Sequence, residues 1–129
     1  MIYILDAAAL LNNENFSFER ANKYYTTSKV FEEWRDLRSR AFAQSALEGG
    51  SLTVQDPCPL SVEKTMEKTH GAKLSDADIS IIALAYEFAG RKDKFIVITD
   101  DYKIQSFLKK MKIKFRGVLH EEIRPRRKE

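Results

Sequence analysis

The sequence predicts an α/β layer architecture on a mostly parallel sheet, and three observations predict it. Residues 95–99, Phe-Ile-Val-Ile-Thr, form a continuous apolar, β-branched run, the pattern of a central strand buried on both faces of a parallel sheet. Residues 2–5, Ile-Tyr-Ile-Leu, also read as a buried strand. Between and around these runs, strand-length pieces alternate with segments of helical period, which is the order of a layered α/β domain.

The elements follow in order. After the first strand, residues 7–11 predict a short apolar helix, and the polar residues 12–22 a loop or irregular helix. Residues 24–26, Tyr-Tyr-Thr, read as a short strand. Ser28 can cap a helix reaching residue 37, and a second helix is expected over residues 38–47, stopped by Gly49 and Gly50. Residues 52–54 form a third strand, ended by Pro57 and Pro59. Ser61 is placed to cap a short helix to residue 69, with His70 and Gly71 ending it. Ser75 leads into the strongest helix, residues 76–89, stopped by Gly90. Residues 102–111 predict an amphipathic helix with Ile104, Phe107, Leu108 and Met111 on one side. Residues 114–118 can add a final edge strand. No repeat or Gly/Ser linker divides the chain, so residues 1–119 are expected to form one domain and residues 120–129 a basic, flexible tail.

Composition narrows the class. A chain of 129 residues with 43% hydrophobic residues supports one real core. No apolar stretch approaches the roughly 20 residues of a membrane span. The apolar start lacks a basic leader and has Asp6 in its centre, unlike a signal peptide. The single cysteine, Cys58, excludes an internal disulfide and a multi-cysteine zinc site, and a cytoplasmic location is expected. The net charge of +3 is uneven: residues 109–129 hold nine Lys/Arg against three Glu, and the rest holds 13 basic against 16 acidic residues. An acidic body with a basic end suits a polyanion that must also meet acidic groups, although a basic end also serves solubility.

The acids are placed where a parallel α/β sheet puts its ligands, beyond the carboxyl ends of the strands. Asp6 follows the first strand, and Asp100 and Asp101 follow the strand at 95–99. Each alone is explained as a helix cap; their joint placement is less easily explained that way. On the helices, Glu33 shares a stripe with Val30 and Leu37, and Asp78 with Ile82 and Ala85, so both point inward. Glu32 goes with Asp36, and Asp76 with Ser80 and Glu87, toward water. Ser75-Asp76-Ala77-Asp78 also fits a capping box, and Glu33 could instead pair with Lys29 or Arg40. If Asp6, Glu33, Asp78 and Asp101 converge, they cannot all ionise unaided. A divalent cation resolves the repulsion, and an all-oxygen set favours Mg²⁺ or Mn²⁺. Such a site can activate water and stabilise phosphate oxygens, so with a basic rim the natural chemistry is phosphodiester hydrolysis of nucleic acid. His70 and His120 are expected at the surface, Cys58 as a small buried filler, and Trp34 in the core; Tyr24, Tyr25 and Tyr102 are either core or stacking groups.

These residues resemble the PIN-domain nucleases. Residues 2–9, with Asp6 and Ala7-Ala8-Ala9, look like the family's first motif. Residues 25–36, Tyr-Thr-Thr-Ser-Lys-Val-Phe-Glu-Glu-Trp-Arg-Asp, look like the second, with Glu33 at the acidic position. Residues 74–85 look like the third, with Asp78 as the ligand. Residues 97–105, Val-Ile-Thr-Asp-Asp-Tyr-Lys-Ile-Gln, look like the fourth, with Asp101 favoured as ligand and Asp100 assisting directly or through water. With Phe115-Arg116-Gly117-Val118, the last three motifs are similar to the archaeal "NIN one binding" branch, which matures the 3′ end of small-subunit ribosomal RNA. The resemblance covers residues 1–118.

It implies a three-layer α/β/α sandwich and metal-dependent endoribonuclease activity. Asp6, Glu33, Asp78 and Asp101 would be catalytic, and Asp6, Asp78, Asp100 and Asp101 would hold Mg²⁺ or Mn²⁺. The implied partners are the small-subunit RNA precursor, the pre-ribosomal small subunit and a second copy of the chain. Three departures stand out. The hydroxyl residue usual soon after Asp6 is missing, the usual Asn after Gln105 is Ser106, and the family's C-terminal zinc ribbon has no cysteines to build it. A lineage without the ribbon and a shortened chain both fit. Arg124, Arg126, Arg127 and Lys128 would then supply RNA affinity. The alternatives are a PIN ribonuclease toxin, against which Asp-Asp-Tyr-x-Ile-Gln argues, and a catalytically weak RNA-binding assembly factor, which the all-Ala run keeps in view. A phospho-receiver domain fits poorly, because its acidic pair belongs after the first strand.

Overall fold

A computed structural model describes residues 1–11, 13 and 15–118. The apolar runs form the strands β1 (Ile2–Leu5), β2 (Lys23–Thr26), β3 (Leu52–Val54), β4 (Phe95–Ile98) and β5 (Phe115–Arg116). The helices are α1 (Ala8–Leu11), α2 (Ser28–Phe31), α3 (Leu37–Glu48), α4 (Pro59–Lys68), α5 (Asp76–Gly90) and α6 (Tyr102–Lys110). The strands make one sheet in the order β3-β2-β1-β4-β5, every pairing parallel, with β1 and β4 in register from Ile2↔Phe95 to Leu5↔Ile98.

The chain winds outward from β1 to β3, crosses back, and continues to β4 and β5 on the other side. Right-handed crossovers then put α1 and α3 on one face and α4, α5 and α6 on the other. Strand alternation agrees. Tyr25 packs edge-on against Phe88 of α5, while its neighbour Tyr24 meets Phe18, which in turn meets Phe42 of α3. This is the expected three-layer α/β/α sandwich. Helix α5 is buried on nearly every side, from Ala77 through Ile81, Ile82 and Leu84 to Phe88, as a helix apolar all round must be. Burying Phe88 alone is worth about 2–3 kcal/mol.

Two helices depart from the sequence reading, each because another interaction takes over a backbone group. The helix expected from residue 28 to 37 ends at Phe31. Its cap is Thr27, not Ser28: the Thr27 hydroxyl accepts from Val30 N at 3.2 Å and bonds Ser80 Oγ at 2.7 Å. Beyond Phe31, Trp34 turns fully into the core, its indole N–H donating to Ala7 O at 2.9 Å. The Arg40 guanidinium donates to Phe31 O and Trp34 O, and Asp36 then caps α3 through Ser39 N. Leu37 consequently lies 89% exposed, off any shared stripe with Glu33. The other departure is α4, which starts at Pro59 with Cys58 at its N-cap, two residues before Ser61. Proline at the first helical position brings its φ ready-set, and Glu87 Oε2 accepts from Cys58 N at 2.6 Å. Cys58 is exposed rather than a buried filler, and Ser61 is buried beneath it. Ser80 is also buried rather than facing water, drawn inward by Thr27 and by Ala77 O. No helix among the described residues is long and apolar enough to cross a membrane.

Candidate active site

The carboxyl edge of the sheet places the acids. Asp6 continues β1, its N–H donating to Ile98 O at 3.0 Å, so the backbone ladder holds it beside the end of β4. Asp101, three residues past the end of β4, caps α6: its Oδ1 accepts from Lys103 N at 2.8 Å and Ile104 N at 3.2 Å. Asp78 completes the capping box of α5, its Oδ2 accepting from Ser75 N at 3.0 Å while Ser75 Oγ accepts from Asp78 N at 3.1 Å. A cap and an inward-facing acid are thus the same residue here.

Electrostatics show which acids meet. Asp6 is only 8% exposed. Its pKa is pushed up to about 6 by burial first, against the Thr99 hydroxyl and the Ala7 amide, and then further by Asp78 and Asp101. Glu33 is also raised, by burial and then by Asp78, with Arg35 opposing. Glu33 stands exposed in the turn after α2 and not on a helical stripe, yet it faces the same acids. Asp100 is turned elsewhere: its Oδ1 accepts from Val118 N at 2.7 Å and anchors the strand that follows. Asp76 is exposed and distinct from this group.

A layer of buried hydroxyls under the carboxylates was missed in the sequence. Thr99 Oγ1 donates to Asp6 Oδ2 at 2.8 Å and accepts from Asp101 N at 3.1 Å, so one hydroxyl sets two of the acids. Gln105 holds the Thr99 carbonyl, and Thr26 Oγ1 donates to Leu5 O at 2.8 Å, immediately before Asp6. The hydroxyl absent after Asp6 therefore comes from the neighbouring strand. The signal was available: Thr26 and Thr99 end two otherwise apolar strands at the same edge.

The donor set is hard oxygen throughout, which suits Mg²⁺ or Mn²⁺ rather than a softer metal. Oδ1 of Asp78 and Oδ2 of Asp101 take no protein hydrogen bond among the described residues. The pKa of Asp6 is raised first by burial, and the charges of Asp78 and Asp101 add to it. Among the described residues, no three acidic, histidine or cysteine side chains stand in ready ligand arrangement. The residues fit a divalent cation in chemistry and charge. Trp34 and Tyr24 are core, Tyr25 is half-buried and Tyr102 is 82% exposed; His70 is exposed. Arg124, Arg126, Arg127, Lys128 and His120 lie outside the described residues.

Comparison with known proteins identifies the family. Residues 3–88 match the family described as the PIN domain of ribonuclease. The chain is 38% identical over 125 residues to Endoribonuclease Nob1 of Methanothermobacter thermautotrophicus, covering 94% of this chain and 71% of that protein. It is 34% identical to Endoribonuclease Nob1 of Methanocaldococcus jannaschii, covering 93% of this chain and 58% of that protein. It is also 30% identical over 103 residues to Ribonuclease VapC3 of Aeropyrum pernix, covering 73% and 74%. The chain thus spans between about three fifths and three quarters of these relatives' lengths. A match over more than half of the chain, on a parallel sheet whose carboxyl edge carries Asp6, Asp78 and Asp101, shows that this chain belongs to the PIN-domain ribonuclease family.

Proposed function

We propose that this chain is a divalent-metal-dependent endoribonuclease acting on the small-subunit ribosomal RNA precursor at its 3′ end. The observation that carries the chemistry is Asp6: a buried carboxylate, raised to about 6, facing two further carboxylates at the ligand edge of a parallel sheet. The substrate follows from the two relatives named Endoribonuclease Nob1 and from the fourth motif, Asp100-Asp101-Tyr102-Lys103-Ile104-Gln105.

In this reading Asp6, Asp78 and Asp101 would hold Mg²⁺ or Mn²⁺, with Glu33 completing the site, while Asp100, bonded to Val118 N, would assist at most through a bridging water. When bound, the cation offsets the carboxylate charge, polarises the scissile phosphate and makes water more acidic. The chain's own residues do the rest. The capping bonds of Asp78 and Asp101 restrain one oxygen of each carboxylate and leave the other open among the described residues. Thr99 restrains Asp6 Oδ2 in the same way. Glu33, exposed at the rim and with a raised pKa, is placed to take a proton from the attacking water. Arg124, Arg126, Arg127 and Lys128 add affinity for the phosphate backbone. The ribosomal precursor particle would be the partner, and the cytoplasm its place.

The test is cleavage of end-labelled RNA spanning a small-subunit 3′ end, with Mn²⁺, by the wild type, Asp6→Asn and Asp101→Asn. Cleavage at one position, lost in both variants, is expected. A cut placed elsewhere in the RNA would favour the second reading, a ribonuclease of different substrate, for which the relative named Ribonuclease VapC3 speaks. RNA bound but not cut would leave an assembly factor.

A further inference from the structure

The ribonuclease reading leaves one charged surface without a role: the outer edge of the sheet at β5, away from the carboxylates. Strand β5 pairs with β4 alone among the described residues. Beside it lies a concavity of about 620 Å³ whose lining includes Ile96, Phe115, Lys109, Lys112, Lys114 and Arg116. Among the described residues, no acidic side chain lines it. Lys109, Lys112 and Lys114 are exposed and make no ion pair among the described residues, where the one ion pair is Arg91–Asp93.

Helix chemistry accounts for only part of this. Lysines in the last turn of α6 complement the helix dipole, which explains Lys109 and Lys110. Lys112 and Lys114 come after the helix. Lys112 moreover has φ 62°, the left-handed conformation, with its N–H donating to Lys109 O at 3.0 Å. Glycine or asparagine is the ordinary choice there, because a Cβ is strained in that region. Lys92, after α5, takes the same conformation at φ 63°, so what sets Lys112 apart is its place in the lining of the concavity.

The spacing fits a nucleic-acid backbone. Lys114, bonded to Val97 N just before β5, and Arg116, the last residue of β5, are two apart in one extended segment, so they share a face about 6.6 Å apart, comparable to the step between successive phosphates of a single strand. From Lys112 to the end of the sheet where Asp101 stands is about the length of β4, roughly 13 Å. Ile96 and Phe115 in the same lining give apolar surface on which bases can pack while phosphates meet the cations.

We propose that Lys112 and Lys114, with Lys109 and Arg116 flanking them, form a phosphate track that leads single-stranded RNA along the β5 edge to the carboxylates. The enzyme then grips several nucleotides on one side of the bond it cuts. The proposal rests on the ribonuclease reading, and the test separates the two.

Binding of a fluorescein-labelled single-stranded RNA is measured by anisotropy in EDTA across a KCl series. Lys112→Gly and Lys114→Gln should each weaken binding about threefold to tenfold and lower the salt slope by about 0.7, and the double variant by about 1.4. Lys64→Gln, an exposed lysine of α4, should change neither. Lys112→Gly should melt no lower than the wild type, since glycine relieves the left-handed position, so its loss of affinity is not unfolding. Wild-type binding with the double variant unchanged overturns the track, as does an equal loss in Lys64→Gln. A wild type that binds no RNA overturns the track and the ribonuclease reading together, and would turn the search for this surface's partner to acidic proteins.

Discussion

At the scale of single residues, Asp6 decides most. Its folded pKa of about 6 exceeds the ordinary 3.8, so between these values the native state binds more protons than the unfolded chain. This group's contribution to stability is fully present below about pH 4 and is lost as pH rises through about 6. Asp6→Asn should therefore raise stability at pH 7, by on the order of 2–3 kcal/mol, and flatten the fall in melting temperature between pH 4 and pH 7. A variant that melts lower than the wild type at pH 7 would contradict this. Thr99→Val keeps the shape but removes the donor to Asp6 and the acceptor for Asp101 N. It should cost about 1–2 kcal/mol and reduce cleavage; chemical denaturation and the RNA assay check the two effects. The sequence made Asp6, Asp78 and Asp101 legible because position after an apolar strand, or in a capping box, is local information. Thr99 was not legible, because its bond to Asp6 joins positions 93 apart. Glu33 was read on a helical stripe that does not form: its neighbour Trp34 turns into the core and ends that helix first, and Glu33 still stands within reach of the charge of Asp78.

At the scale of elements, α4 and α5 are locked by one carboxylate. Burial alone would raise the pKa of Glu87, but the Cys58 amide, the Ser61 hydroxyl and Arg91 lower it. A depressed carboxylate stabilises the fold above its unfolded pKa, and that stability is lost as pH falls through the folded value. Glu87→Gln should loosen the start of α4 by about 1 kcal/mol, seen as faster amide exchange in α4 with β1 and β4 unchanged. Equal exchange throughout α4 would show that Pro59 alone sets the helix start. The element boundaries that sequence reading placed well were those with local signals: the capping box of α5, the apolar run of β4 and the amphipathic stripe of α6. Those it misplaced, at α2 and α4, were settled by Arg40 and Glu87 reaching in from other elements.

At the scale of the molecule, the sheet sorts charge. The order β3-β2-β1-β4-β5 puts the two central strands side by side, so the acids that follow them share one edge. Lysines gather at β5 instead. The fold and the acidic edge were readable because both follow from strand order and parallel pairing, whereas the hydroxyl layer and the β5 concavity depend on packing that no local pattern encodes. The claim that the acidic edge holds a divalent cation is open to test by thermal melting with and without millimolar Mn²⁺. A cation that binds only the folded state stabilises it by mass action. The wild type should melt higher with Mn²⁺, while Asp6→Asn and Asp101→Asn stay where they were, with Asp6→Asn starting from the higher baseline. An equal rise in all three proteins, or no rise in the wild type, would contradict the claim.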